Sequence, residues 1–198
     1  MLQNCVYTLY ISHAIFVFRV ITKGNENMKE NRTALRISLL AVTTALVAVF
    51  TMLVRVPTPT GGYINLCDVA ITFIAYTFGP ITGFIAGGLG TALADALGGY
   101  MQYAPISFVV HGLEALLVAL IVRKDNTTLL TKILAGVVAV VVVAGGYWLL
   151  AGTFLIGLGT AVAEIPGNML QAGVGAVFGL IVSEAVRKAY RKVDTLRW

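Results

Sequence analysis

The chain has 198 residues, 58% of them hydrophobic and only 12% charged, and its mean hydropathy is +0.88. That apolarity excludes an ordinary soluble domain and marks a polytopic membrane protein. The formal net charge of +5 is not a nucleic-acid footprint, because the basic residues flank the apolar stretches: Lys29, Arg32 and Arg36, then Arg123, Lys124 and Lys132, then Arg187, Lys188, Arg191, Lys192 and Arg197.

A bilayer offers no water to backbone groups, and the alternation of barrel strands is missing, so the spans are expected to be helices. The first 27 residues stand apart. Their apolar run from Val6 to Ile21 is broken by His13 and Arg19, is short for a span, and lacks a basic start and a small-residue cleavage site. Met28, followed by a basic stretch, is the better start, so residues 1–27 are expected to be a non-native or disordered extension, 28–192 the membrane domain and 193–198 a cytoplasmic tail.

Helix 1 is expected from Arg36 to Val54. Pro57, Pro59, Gly61 and Gly62 end it in a shaped loop. Helix 2 covers Ile64 to Phe78, Gly79-Pro80 turns the chain into helix 3 from Ile81 to Leu97, and Gly98-Gly99 closes that helix. Helix 4 runs from Pro105 to Val122 with proline in its first turn, helix 5 from Ile133 to Leu150, and helix 6 from Thr160 to Val186. The fold class is an all-α integral membrane protein of six transmembrane helices. Three loops carry Arg55 as their single charge, whereas the loop at 123–132 and the tail are basic, so both termini are placed in the cytoplasm.

The intramembrane polar residues carry the functional signal, since ionisable groups at membrane depth are costly and face a bundle interior or a cavity. Glu164, Asn168 and Gln171 stand at i, i+4 and i+7 on one face of helix 6, either as interhelical glue or as a ligand site. Ser107, His111 and Glu114 share a face of helix 4, where His111 and Glu114 form a self-satisfied pair, a ligand contact or a proton site. Tyr63, Asn65, Tyr100, Gln102, Tyr103, Tyr147 and Trp148 gather at the outer ends, as an interfacial belt or as flat faces and amides for a planar heterocycle entering from outside. Gly79, Gly83, Gly87, Thr91 and Asp95 repeat every fourth residue along helix 3, a packing pattern, with Asp95 and Asp68 orienting loops or capping. Cys5 and Cys67 are taken as free thiols. Without a clustered His or Cys set no metal is expected, and the chain has no phosphate-binding, nucleophile or zinc motif, so no catalytic residues and no cofactor are assigned.

Taken together, the Ala41 and Ala45 pair in helix 1, PTPTGGYINLCD, FGPITGFIAGGLGTALADALGGY, HGLEALL and EIPGNMLQ resemble the S component of energy-coupling factor (ECF) vitamin transporters, over about Lys29 to Lys192. The resemblance implies a membrane-embedded protein that captures a vitamin or precursor at the outer face. It then docks on a transmembrane T component coupled to two cytoplasmic ATPases and topples to release its ligand inside. It further implies that Ala41 and Ala45 meet the T component, and that Tyr63, Asn65, His111, Glu114, Trp148, Glu164, Asn168 and Gln171 line the ligand pocket. In the branch it most resembles, helix 4 has a lysine where this chain has His111, which bears on ligand charge. That branch includes carriers of hydroxymethylpyrimidine, the thiamine precursor, and of riboflavin; a small, amide-rich site favours the pyrimidine. The rival classes are a self-sufficient proton-coupled transporter using Glu114 or Glu164, for which no internal repeat is visible, a structural membrane subunit, and an intramembrane enzyme.

Overall fold

Glycine, proline and the long apolar runs set the boundaries of the helices in the computed structural model, which describes residues 32–122 and 128–198 (Arg32 by its backbone alone). The expected extension at 1–27, with Cys5, and the loop residues Arg123 and Lys124 lie outside the described residues. Residues Met1–Ile37 group as one unit and Ser38–Trp198 as another, and the site described below lies wholly within the second.

The elements are α1 (Arg32–Leu53), β1 (Val56–Pro57), β2 (Tyr63–Ile64), α2 (Cys67–Phe78), α3 (Pro80–Gly98), α4 (Ala104–Ile121), α5 (Leu129–Ala151), α6 (Leu158–Ala161) and α7 (Ile165–Ala189). A π-helical turn, Gly152–Ile156, continues α5, and a 3-10 turn, Val162–Glu164, leads from α6 into α7. Among the described residues, five stretches are long and apolar enough to cross a membrane: Thr33–Leu53, Pro80–Gly98, Ala104–Ile121, Leu129–Ile156 and Leu158–Ala189. The molecule is thus an all-helical membrane protein with one shorter apolar helix, α2.

Two sequence expectations are corrected here. Ile64 does not begin a helix. The loop after α1 folds back as a small antiparallel hairpin in which Val56 faces Ile64 and Pro57 faces Tyr63, because Gly61, at φ +87°, closes the turn between them. Helix 2 therefore starts at Cys67 and has 12 residues. At 1.5 Å per residue that is roughly 18 Å, well short of a bilayer core. It is an interior helix, with ten of its twelve residues buried. The second correction concerns the approach to α7, where α6 and the 3-10 turn replace the continuous start expected from Thr160.

The Gly79-Pro80 turn is as expected: Gly79 takes φ +91° and Pro80 opens α3. The small-residue stripe of α3 lets α4 approach. A Cβ on Gly87 would stand 2.9 Å from the His111 carbonyl oxygen, and one on Gly83 would stand 3.2 Å from Ala115 Cβ. On the other side α2 meets α7, where Thr72 Oγ1 donates to the Gly175 carbonyl at 2.7 Å and Thr77 to Ser183 at 3.0 Å. These contacts hold α4 against α3 and α7 against α2, and both α4 and α7 carry site residues.

The last residues form no loose tail. Arg191–Leu196 is a 3-10 turn, after which Arg197 donates to the carbonyls of Tyr76 (3.3 Å), Ala119 (3.2 Å) and Val122, and the Trp198 amide donates to Phe78 at 3.0 Å. Guanidinium groups at the C-terminal ends of α2 and α4 meet the negative ends of those helices.

Candidate substrate-binding site

Because α2 is short, the bundle has room between its N-terminal end and the hairpin, and a cavity of about 330 Å³ occupies that room. The hairpin contributes Thr58, Thr60 and Tyr63; α3 contributes Thr91 and Asp95; α4 contributes Ser107 and His111. Tyr147 of α5 and Glu164, Asn168 and Gln171 around the start of α7 complete the polar wall.

Six of the eight expected residues line this space: Tyr63, Asn65, His111, Glu164, Asn168 and Gln171. The other two do not. Glu114 lies behind His111, fully buried, with its Oε2 2.9 Å from His111 Nδ1. Trp148 is turned away and 37% exposed. One residue along a helix is a rotation of roughly 100°, and it is Tyr147 that faces inward, sharing a 2.6 Å hydrogen bond with Ser107. The phase of α5 could not be set from its nearly uniform apolar sequence.

Two carboxylates define the chemistry of the walls. Asp95 accepts from the Tyr63 hydroxyl. Glu164 accepts from the Thr60 hydroxyl and, at 3.4 Å, from Thr58. The approach is close enough that a Cβ on Gly62 would stand 2.9 Å from Glu164 Oε1. The hairpin is thus tied to α3 by one acid and to the α7 entry by another. Burial, and then the bond to Asp95, raise the Tyr63 pKa above its ordinary value, so the phenol remains a donor. Burial and the nearby Glu164 and Asp95 raise Tyr103 as well.

Among the described residues that line the cavity there is no lysine or arginine. Arg55 sits behind the wall, its guanidinium 4.8 Å from the Tyr63 ring centroid and its Nη2 donating to the Ala94 carbonyl at 2.8 Å. The tyrosines form a side of their own: Tyr100 packs on Tyr63 with ring centroids 4.5 Å apart, and the Tyr147 ring meets His111 edge-on at 5.6 Å. Asp95, Thr58, Thr60 and Thr91 line the cavity although the sequence reading did not place them there. Asp95 is expected from the sequence to orient a loop or cap a helix, and its bond to Tyr63 does tie it to the hairpin loop.

Gln171 lines the cavity and also braces the entry to α2. Its Oε1 accepts from the Asn65 amide at 2.7 Å and its Nε2 donates to Asp68 Oδ2 at 2.5 Å, so it joins the residues before α2 to the buried acid at the start of α2. Asn65 Oδ1 in turn accepts from the Cys67 amide at 2.6 Å.

The family model for the ECF-type riboflavin transporter S component matches residues 31–188. The chain belongs to that family. As an S component, it is a multi-pass protein of a prokaryotic cell membrane that works in small-molecule uptake. A thiamine precursor transporter of Lactococcus lactis subsp. cremoris is 29% identical over 163 residues, 81% of this chain and 93% of that one. An uncharacterized protein of Pyrococcus woesei is 40% identical over 136 residues, 67% of this chain and 88% of the relative. A solved S component of a bacterial ECF transporter superposes with a TM-score of 0.57 at 17% identity, covering 79% of this chain and 98% of that chain, and so shares the fold.

Proposed function

We propose that this S component captures a small donor-bearing heterocycle, hydroxymethylpyrimidine first and riboflavin second, in the cavity between the hairpin and α2. The observation that carries the proposal is the pairing of tyrosine faces with Asp95, Glu164 and Asn168 in one cavity whose described lining holds no lysine or arginine. An aminopyrimidine offers a flat ring and N–H groups, which suit that wall. The named thiamine precursor relative supports the pyrimidine, and the family description supports the flavin as the second choice.

Ala41 and Ala45 stand one turn apart on an exposed face of α1, which supports docking on the T component of an importer energised by two cytoplasmic ATPases. In this arrangement the termini are cytoplasmic and the hairpin faces outward.

The experiment is calorimetric titration of the purified chain in detergent with hydroxymethylpyrimidine, riboflavin and thiamine. Saturable binding of the pyrimidine, weakened by Asn168→Ala, is the expected result. Binding of the flavin alone would replace the substrate, and a silent protein across all three would overturn the capture role.

A further inference from the structure

Folding brings together what the sequence keeps apart. Cys67 and Asp68 open α2 and His111 lies midway along α4, yet one ligand atom from each falls within 4.8 Å of the others. The residues are 0%, 0% and 1% exposed. Cys67 Sγ is 3.3 Å from Asp68 Oδ2 and 3.6 Å from His111 Nε2.

We propose that Cys67, Asp68 and His111 form a site for one thiophilic divalent transition-metal ion, of the zinc or cobalt kind, set against the substrate cavity, with Glu114 as the outer carboxylate that orients the imidazole.

Three observations carry it. The first is the spacing. Thiolate, imidazole and carboxylate atoms bound tetrahedrally at about 2.0–2.3 Å from one ion stand roughly 3.5 Å apart; the two separations from Cys67 Sγ, 3.3 and 3.6 Å, straddle that value, and all three ligand atoms lie within 4.8 Å of one another. The second is the histidine. Its Nδ1 lies 2.9 Å from Glu114 Oε2, and a ring N–H donated to a carboxylate leaves Nε2 as the bare nitrogen, the arrangement typical of a metal-bound histidine.

The third is what the protein alone leaves unmet. Cys67 has a single thiol proton for two acceptors, Asp68 Oδ2 and His111 Nε2. Asp68 Oδ1 and Glu114 Oε1 are buried without a hydrogen-bond partner. Both carboxyl groups turn toward the one imidazole, with His111 Nδ1 3.7 Å from Asp68 Oδ1 and 2.9 Å from Glu114 Oε2. A divalent ion balances a Cys67 thiolate and the Asp68 carboxylate and uses the free Nε2. The sulfur and nitrogen donors select a soft or borderline ion over magnesium or calcium. His111 and Gln171, which surrounds the same acid, also line the cavity, so the ion would sit next to the captured ligand.

The test uses the full chain, purified in detergent, stripped with a chelator and titrated with cobalt(II) with no vitamin present. Saturable cobalt binding with a near-ultraviolet thiolate-to-metal charge-transfer band is expected. That band should vanish in Cys67→Ser, and affinity should fall about 10–100-fold in Glu114→Gln, the range found for outer-shell partners of metal-bound histidines. Zinc should displace the cobalt and raise the unfolding temperature of the wild type, a readout that does not depend on any variant folding. A wild-type protein with no saturable charge-transfer band and no zinc-dependent stabilisation would overturn the site. Binding that survives unchanged in Cys67→Ser would do the same. None of these outcomes depends on which vitamin the cavity takes.

Discussion

The Tyr63 hydroxyl donates to Asp95 Oδ1, so a residue of the hairpin is tied to the end of α3 from within the cavity wall. Removing that bond should loosen the hairpin without unfolding the bundle. Tyr63→Phe is expected to cost about 1 kcal/mol, the usual net value of a hydrogen bond at a half-buried position. Thermal unfolding in detergent would measure it, and faster proteolysis between residues 56 and 64 would locate it.

The same bond has a pH signature. The folded phenol holds its proton more tightly than the unfolded one, first through burial and then through Asp95. A raised folded pKa stabilises the protein fully below the unfolded value, about 10, and that contribution is lost as the pH rises past it. The wild-type unfolding temperature should therefore drop more steeply above about pH 10 than that of Tyr63→Phe. Parallel curves for the two proteins would remove Tyr63 as the source.

Tyr147 and Trp148 are neighbours in sequence with opposite fates. Trp148→Phe should leave ligand affinity within a factor of about two, since its ring lies outside the cavity. Tyr147→Phe breaks the 2.6 Å bond to Ser107 and should weaken binding by about fivefold, the equivalent of roughly 1 kcal/mol. Calorimetry on the two variants decides which residue faces the ligand.

Gly87 sets how closely α3 can approach α4. Gly87→Leu places side-chain atoms where a Cβ alone meets the His111 carbonyl at 2.9 Å. The cost should be about 1–3 kcal/mol of stability, with a larger loss of ligand binding because His111 moves with its helix. A variant as stable as the wild type would mean that the helices separate without penalty.

Ala41 and Ala45 make the opposite prediction. Both are exposed on α1, so Ala41→Trp and Ala45→Trp should retain ligand binding in the isolated chain. They should fail to co-purify with a T component and fail to support uptake in cells.

The helices were largely legible in the sequence because each is an apolar run bounded by glycine or proline, and the Glu164, Asn168 and Gln171 face was legible from helical spacing alone. What was not legible depended on contacts between distant parts of the chain. The pairing of Val56 with Ile64 turned an expected helix start into a hairpin. Cys67 looked like an isolated thiol until α4 set His111 beside it. Tyr147 was obscured by Trp148 because a helix apolar on every side has no phase that can be read from its pattern. Asp95 was expected to orient a loop or cap a helix, and only the position of the hairpin showed that it also lines the cavity.

The shortness of α2 has a consequence for how the protein enters the membrane. A segment of 12 residues with Asp68 in its first turn is a poor candidate for insertion by itself, since a carboxylate opposes partitioning and the length cannot reach across. Its natural companion is α3, joined through the Gly79-Pro80 turn, and the two are suited to leave the translocation channel as one helical hairpin. Asp68 then remains without its Gln171 donor until α7, synthesised about a hundred residues later, arrives beside it. A chain stalled before α7 would hold Asp68 without its Gln171 donor, so the binding cavity is expected to be among the last parts to close.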